Sequence, residues 1–138
     1  STKVRLAQAK EFAGKTKAGS GTVLDDPLFA ARLAEVENEL LALELTQLRV
    51  VAGSADGKPN PASSVLKLRG SQLQQAATEL LVNVAGPDSL PVDAVDRIAS
   101  PEWAQLSAPT YLNYRKTSIY GGSNEVQRTI IASSILGL

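Results

Sequence analysis

Residues 120–125 read Tyr-Gly-Gly-Ser-Asn-Glu, a stretch in which residue type and spacing suggest chemistry. Two adjacent glycines allow positive φ and let another molecule approach the backbone closely. A hydroxyl (Ser123) and a carboxylate (Glu125) stand beside them. The residues that follow begin a helix, whose first amides point outward with the positive end of the dipole behind them. Together these suit an anion, and phosphate is the usual one. The same residues also make a tight, capped corner between two helices, and taken alone they read first as that. Histidine and cysteine are absent from the chain. Acid–base work therefore falls to Glu, Asp, Lys or Tyr, with no thiol chemistry and no metal site expected.

Helices must position that turn. Strong helix formers over 3–13, with Val4, Leu6 and Phe12 apolar, predict a short helix or the end of a longer one. "GKTKAGSG" (14–21) breaks it. Asp25 or Asp26 can cap the next helix, and Pro27 suits its first position. That helix runs to Ala52 on a stripe of Leu33, Val36, Leu40 and Leu43, widened by Leu41, Leu45 and Leu48. "GSADGKPNPAS" (53–63) is a loop by composition. A second long helix spans about 62–85, with Leu66, Leu73, Ala77, Leu80 and Val84 on one face. Two such helices should pack antiparallel. "GPDSLP" (86–91) ends the second one. Residues 92–108 read as irregular, punctuated by Pro101 and Pro109, and 110–118 as a short helix or turn. Asn124 with Gln127 makes a capping-box pattern. Val126, Ile130, Ile131, Ile135 and Leu136 give the last helix an apolar face. No strand pattern is convincing. The expected fold is all-α, an up-down four-helix bundle.

The 138 residues suit one domain, 1–138. Fourteen basic and fourteen acidic residues cancel, which gives no electrostatic case for nucleic acid or an anionic membrane. No run of 18 apolar residues predicts a membrane span. No signal-peptide pattern opens the chain, and a cytoplasmic location is the accompanying expectation. Methionine is absent even at position 1, so the sequence is expected to start inside a longer polypeptide.

"IYGGSNEVQRTIIASSILGL" (119–138) resembles the closing segment of the acyl-CoA dehydrogenase family. The typical form there is Ile-Tyr-Gly/Glu-Gly-Thr/Ser-x-Glu/Gln-Ile-Gln-Arg-x-Ile-Ile-Ala…Leu-Gly-Leu. "AARLAEVENELLALELTQLR" and "SSVLKLRGSQLQQAATELLVNVAG" are similar to the long helices of the family's C-terminal bundle. The resemblance spans nearly the whole chain and implies a C-terminal domain cut from a longer protein. It also implies an FAD-dependent oxidoreductase of lipid metabolism that desaturates an acyl-CoA thioester between Cα and Cβ. Such proteins are dimers or tetramers, built of like or unlike subunits.

Residue by residue, the resemblance places Ser123 and Glu125 against FAD, Gly122 beside the substrate thioester and Tyr120 beside the acyl chain. The physics agrees, since a hydroxyl and free amides suit a pyrophosphate and a carboxylate can accept from a ribose hydroxyl. Simple helix capping also explains Ser123, a first-turn acid facing the dipole explains Glu125, and half-buried packing explains Tyr120 equally well. In many members the base is the Glu directly after the motif tyrosine. Here that position is Gly121, so no catalytic residue is assigned. Another branch carries its Glu on an earlier helix, which would place it before Ser1. Glu11 sits too late to replace it and reads as a solvated charge.

Other family elements are altered. Arg-x-x-Phe-Gly reads "GKTKAG", in which Lys15 or Lys17 offers only a point charge. Gln-x-x-Gly-Gly, which reaches the flavin across a subunit interface, reads "VNVAG" and keeps Gly86. An Arg-Asp pair reads Leu112-Asn113, with Arg115 as a nearby cation. Arg128 is expected to bond within the bundle. These departures keep a second reading open, a non-catalytic or assembly subunit of a heteromeric acyl-CoA dehydrogenase. A free-standing helical interaction domain leaves the closing motif unexplained.

Overall fold

The computed structural model describes residues 1–54, 60–90 and 99–138. The expected loop at 53–63 and irregular stretch at 92–108 lie partly outside them. Helix α1 (Thr2–Lys15) is followed by an antiparallel pair of two-residue strands, β1 (Lys17–Ala18) and β2 (Gly21–Thr22). The glycine-rich breaker is thus a miniature hairpin, a pairing too short to give an alternating pattern. Asp25 accepts from the Thr22 amide at 2.7 Å and ties off its end.

Helix α2 (Pro27–Ala52) starts where the sequence places it. Asp26 accepts from the Leu28 amide at 2.9 Å, and Pro27 occupies the first turn. Helix α3 (Ser63–Ala85) ends at Gly86, whose φ of 53° only glycine adopts cheaply. Two short helices follow, α4 (Glu102–Gln105) and α5 (Ser107–Asn113), then a 3-10 turn at Tyr114–Ser118. Pro109 is tolerated because it lies in the first turn of α5, where an N–H has no helical partner. Helix α6 (Asn124–Ile131) runs into a π-type turn at Ala132–Leu136. The architecture is the expected all-α helical bundle.

Helix α3 is the axle. It packs against α1, α2, α5 and α6 and against the 3-10 turn. Leu73, Leu80 and Val84 meet Leu6, Ala9 and Ala13 of α1 and Phe29, Leu33 and Val36 of α2 in one buried cluster. Each large aliphatic side chain buried there is worth about 1.5–3 kcal/mol. The ion pairs give the directions. Lys3–Glu44 (3.0 Å) and Lys10–Glu37 (2.9 Å) set α1 antiparallel to α2, and Arg69–Glu39 (2.8 Å) spans α2 and α3. Phe12 stacks on Trp103 with ring centroids 4.2 Å apart, which fastens α4 to α1.

Two expected apolar faces are not covered. Leu41, Leu45 and Leu48 on α2 are more than half exposed, because the bundle packs on the neighbouring face of Leu33 and Val36. Val126 and Leu136 near the end of the chain are also more than half exposed. Among the described residues, no helix is long and apolar enough to cross a membrane.

Candidate functional site

Gly121 and Gly122 have φ of 69° and 87°, so the chain reverses between the 3-10 turn and α6 through a left-handed pair. An ideal Cβ on Gly121 would meet nothing within 4 Å, whereas one on Gly122 would come 2.6 Å from Gln127 Nε2. The backbone at Gly121 is therefore open to an approaching molecule, and the Gln127 amide closes the turn from behind. Gln127 Nε2 also lies 3.5 Å from the Gly121 carbonyl oxygen.

Ser123 is the N-cap of α6, its hydroxyl accepting from the Val126 amide at 3.3 Å. This corrects the expectation that Asn124 and Gln127 form the capping box. Asn124 is the first helical residue and turns inward, 7% exposed. Its Oδ1 accepts from Lys67 Nζ at 3.3 Å and lies 3.0 Å from Ser71 Oγ. Lys67 Nζ also donates to the Thr117 carbonyl at 3.0 Å. One helical turn on, Gln75 Nε2 donates to the Arg115 carbonyl at 3.2 Å and lies 3.3 Å from Thr117 Oγ1. Lys67, Ser71 and Gln75 fall at intervals of four, on one face of α3. That K-x-x-x-S-x-x-x-Q spacing was the available signal, and the apolar stripe beside it masked it.

Glu125 is exposed. Its own backbone amide, and then the Ser123 hydroxyl, hold its carboxyl below the ordinary carboxylate range, with Arg128 and Lys67 adding positive charge. Arg128 Nη1 lies 3.7 Å from Glu125 Oε1, an exposed pair within the helix. Tyr120 is more than half exposed rather than packed. It borders a cavity of about 220 Å³ lined also by Lys67, Ser71, Gln74 and Thr117.

Tyr120, Gly122, Ser123 and Glu125 thus share one exposed turn. Gly86 does not join them. It caps the far end of α3, fifteen residues beyond Ser71, which is roughly 22 Å along the axis. Arg115 is committed elsewhere: it stacks 4.0 Å above the Tyr111 ring and donates to the Gln75 carbonyl. Lys15 pairs with Glu11 along α1. Among the described residues no cluster of three His, Cys, Asp or Glu could hold a metal.

The turn can present amides, a hydroxyl and an ionised carboxylate to a polar ligand. Gly121, at its apex, carries no side chain to abstract a proton.

The family model described as "Acyl-CoA dehydrogenase, C-terminal domain" matches residues 3–136. Acyl-CoA dehydrogenase IpdE1 of Mycobacterium tuberculosis is 35% identical over 135 residues, covering 96% of this chain and 31% of that protein. Acyl-CoA dehydrogenase FadE26 of the same organism is 33% identical over 141 residues, covering 96% of this chain and 34% of that protein. A solved structure titled as the ChsE4-ChsE5 complex from Mycobacterium tuberculosis superposes with a TM-score of 0.77 at 28% identity, over 99% of this chain and 35% of that one. The chain spans about a third of the length of these relatives.

Proposed function

Because the chain belongs to the acyl-CoA dehydrogenase family, we propose that it serves as the C-terminal bundle domain of a longer FAD-dependent oxidoreductase that desaturates an acyl-CoA thioester. The carrying observation is the left-handed glycine pair, open at Gly121, set directly before the Ser123-capped helix. The residues fit a dinucleotide. The Ser123 hydroxyl and the amides at the start of α6 suit a phosphate. The Glu125 carboxylate, kept ionised, would repel a phosphate but accepts from a ribose hydroxyl. A flavin, when bound, supplies the hydride acceptor for the substrate β-carbon.

This chain's part is to bind and orient. Gly122 borders the thioester through its backbone and Tyr120 flanks the acyl chain. Gly86, at the opposite end of α3, serves the flavin site of a neighbouring subunit. The α-proton needs a carboxylate that Gly121 does not provide. In a working dehydrogenase it comes from residues preceding Ser1. Soluble, cytoplasmic activity within a dimer or tetramer completes the reading.

Three departures in the sequence favour a second reading. Gly121 lacks a base, and the lysine-bearing hairpin and "VNVAG" lack the usual flavin contacts. A subunit with this fold and no base would act as the non-catalytic or assembly member of a heteromeric dehydrogenase. The full-length protein separates the two. The enzyme reading expects a yellow protein whose visible flavin band bleaches on anaerobic addition of an acyl-CoA. A yellow protein that no acyl-CoA bleaches transfers the assignment to the assembly subunit, and a colourless one removes the flavin role as well.

A further inference from the structure

The turn at 120–125 makes few contacts of its own, since Tyr120, Gly121, Gly122 and Glu125 are all exposed. Its one buried member is Asn124. What fixes its position is therefore what holds Asn124, and that is α3.

We propose that Lys67, Ser71 and Asn124 form a polar clasp that positions the ligand-binding turn, with Lys67 as the positioning residue. This rests on the flavin reading given above. Among the described residues no carboxylate lies within ion-pair distance of Lys67. Its ammonium is held by two neutral oxygens, the Thr117 carbonyl before the turn and Asn124 Oδ1 after it. One cation thus bridges both legs of the reversal at 118–123. It also fixes the Asn124 amide, because an ammonium accepts no hydrogen bond and only Oδ1 can face it. The Ser71 hydroxyl, 3.0 Å from the same Oδ1 and 2.9 Å from the Leu68 carbonyl, completes the seat. Two hydrogen bonds offset only part of the cost of taking this ammonium out of water. An apolar residue at 67 would dock α6 without that cost but would leave the two legs independent.

The test uses the full-length protein. Asn124→Leu keeps the side-chain size and removes the acceptor, and Lys67→Met removes the bridge. Asn124→Asp keeps the acceptor. In the flavin-free protein, amide hydrogen exchange at residues 119–127 should speed about tenfold in Asn124→Leu and Lys67→Met, the scale on which one hydrogen bond acts. Asn124→Asp should restore protection, and amides in the middle of α3 should be unaffected. FAD affinity, read from the visible spectrum, should fall in step with the exchange. Ser71→Ala, which adds no volume, serves if the Asn124→Leu protein does not fold, and should give a smaller shift of the same sign. Unchanged exchange at 119–127 overturns the clasp. So does an equal acceleration throughout α3, which would mean general loosening. A wild-type protein that binds no flavin fails the cofactor reading instead, and the exchange measurement still decides the clasp.

Discussion

Gly121 and Gly122 are neighbours with the same backbone hand, yet they should respond differently to a methyl group. Gly121→Ala meets open space, so its cost is the left-handed backbone alone, about 1–2 kcal/mol. Gly122→Ala adds a 2.6 Å approach to Gln127 Nε2 and should lose more stability, measured by urea unfolding of the two variants. Gln127→Ala beside Gly122→Ala should recover the difference. Acid sensitivity belongs to this scale too. The amide and hydroxyl of Thr22 hold the Asp25 carboxyl below its ordinary 3.8, and Glu125 is held below 4.5 by its own amide and Ser123. A depressed folded value favours the folded state above the unfolded pKa, and the gain disappears as pH falls through the folded one. Asp25→Asn and Glu125→Gln should therefore flatten the fall in melting temperature between about pH 5 and pH 3, and leave the slope above pH 6 unchanged. The exchanged roles of Ser123 and Asn124 also arise here. Both are good capping residues, so local pattern could not choose between them. The choice was made 53 residues away, by Ser71.

Between elements, α3 should be the most sensitive to truncation. Leu73→Ala and Leu80→Ala remove side chains that are 2% and 1% exposed, and each should cost about 2–5 kcal/mol. Leu48→Ala on α2, 66% exposed, should stay within about 0.5 kcal/mol. Thermal unfolding of the three variants checks the contrast. The bounds of α2 and α3 were legible because their signals are local: Asp26 and Pro27 at one start, Gly86 at one end, and an apolar period between. The fate of Leu41, Leu45 and Leu48 was not. Periodicity shows that a face is apolar but not whether the chain carries enough partners to cover it. The two-strand hairpin escaped for the opposite reason, since four paired residues leave no period to read.

For the molecule as a whole, the all-α bundle followed from composition and stripes, while the candidate site was legible only in its exposed half. The glycine pair, Ser123 and Glu125 announce themselves in twenty consecutive residues. The clasp beneath them is assembled from 67, 71 and 124, and no short window contains it. A similar long-range tie joins the two ends of the domain. Arg5 Nη2 donates to the Tyr114 hydroxyl at 2.7 Å and its guanidinium rests 4.2 Å from the centre of that ring. The tie spans 109 positions. Closing so long a loop adds only about 0.6 kcal/mol of chain entropy for each doubling of length, but the bond cannot form until both partners exist. During synthesis α1 emerges before its tyrosine has been made, with Arg5 still unpartnered by that ring. This anchor of α1 is therefore supplied only after 109 further positions have been added, and the face of α1 that carries Arg5 must be kept from other partners in the interval.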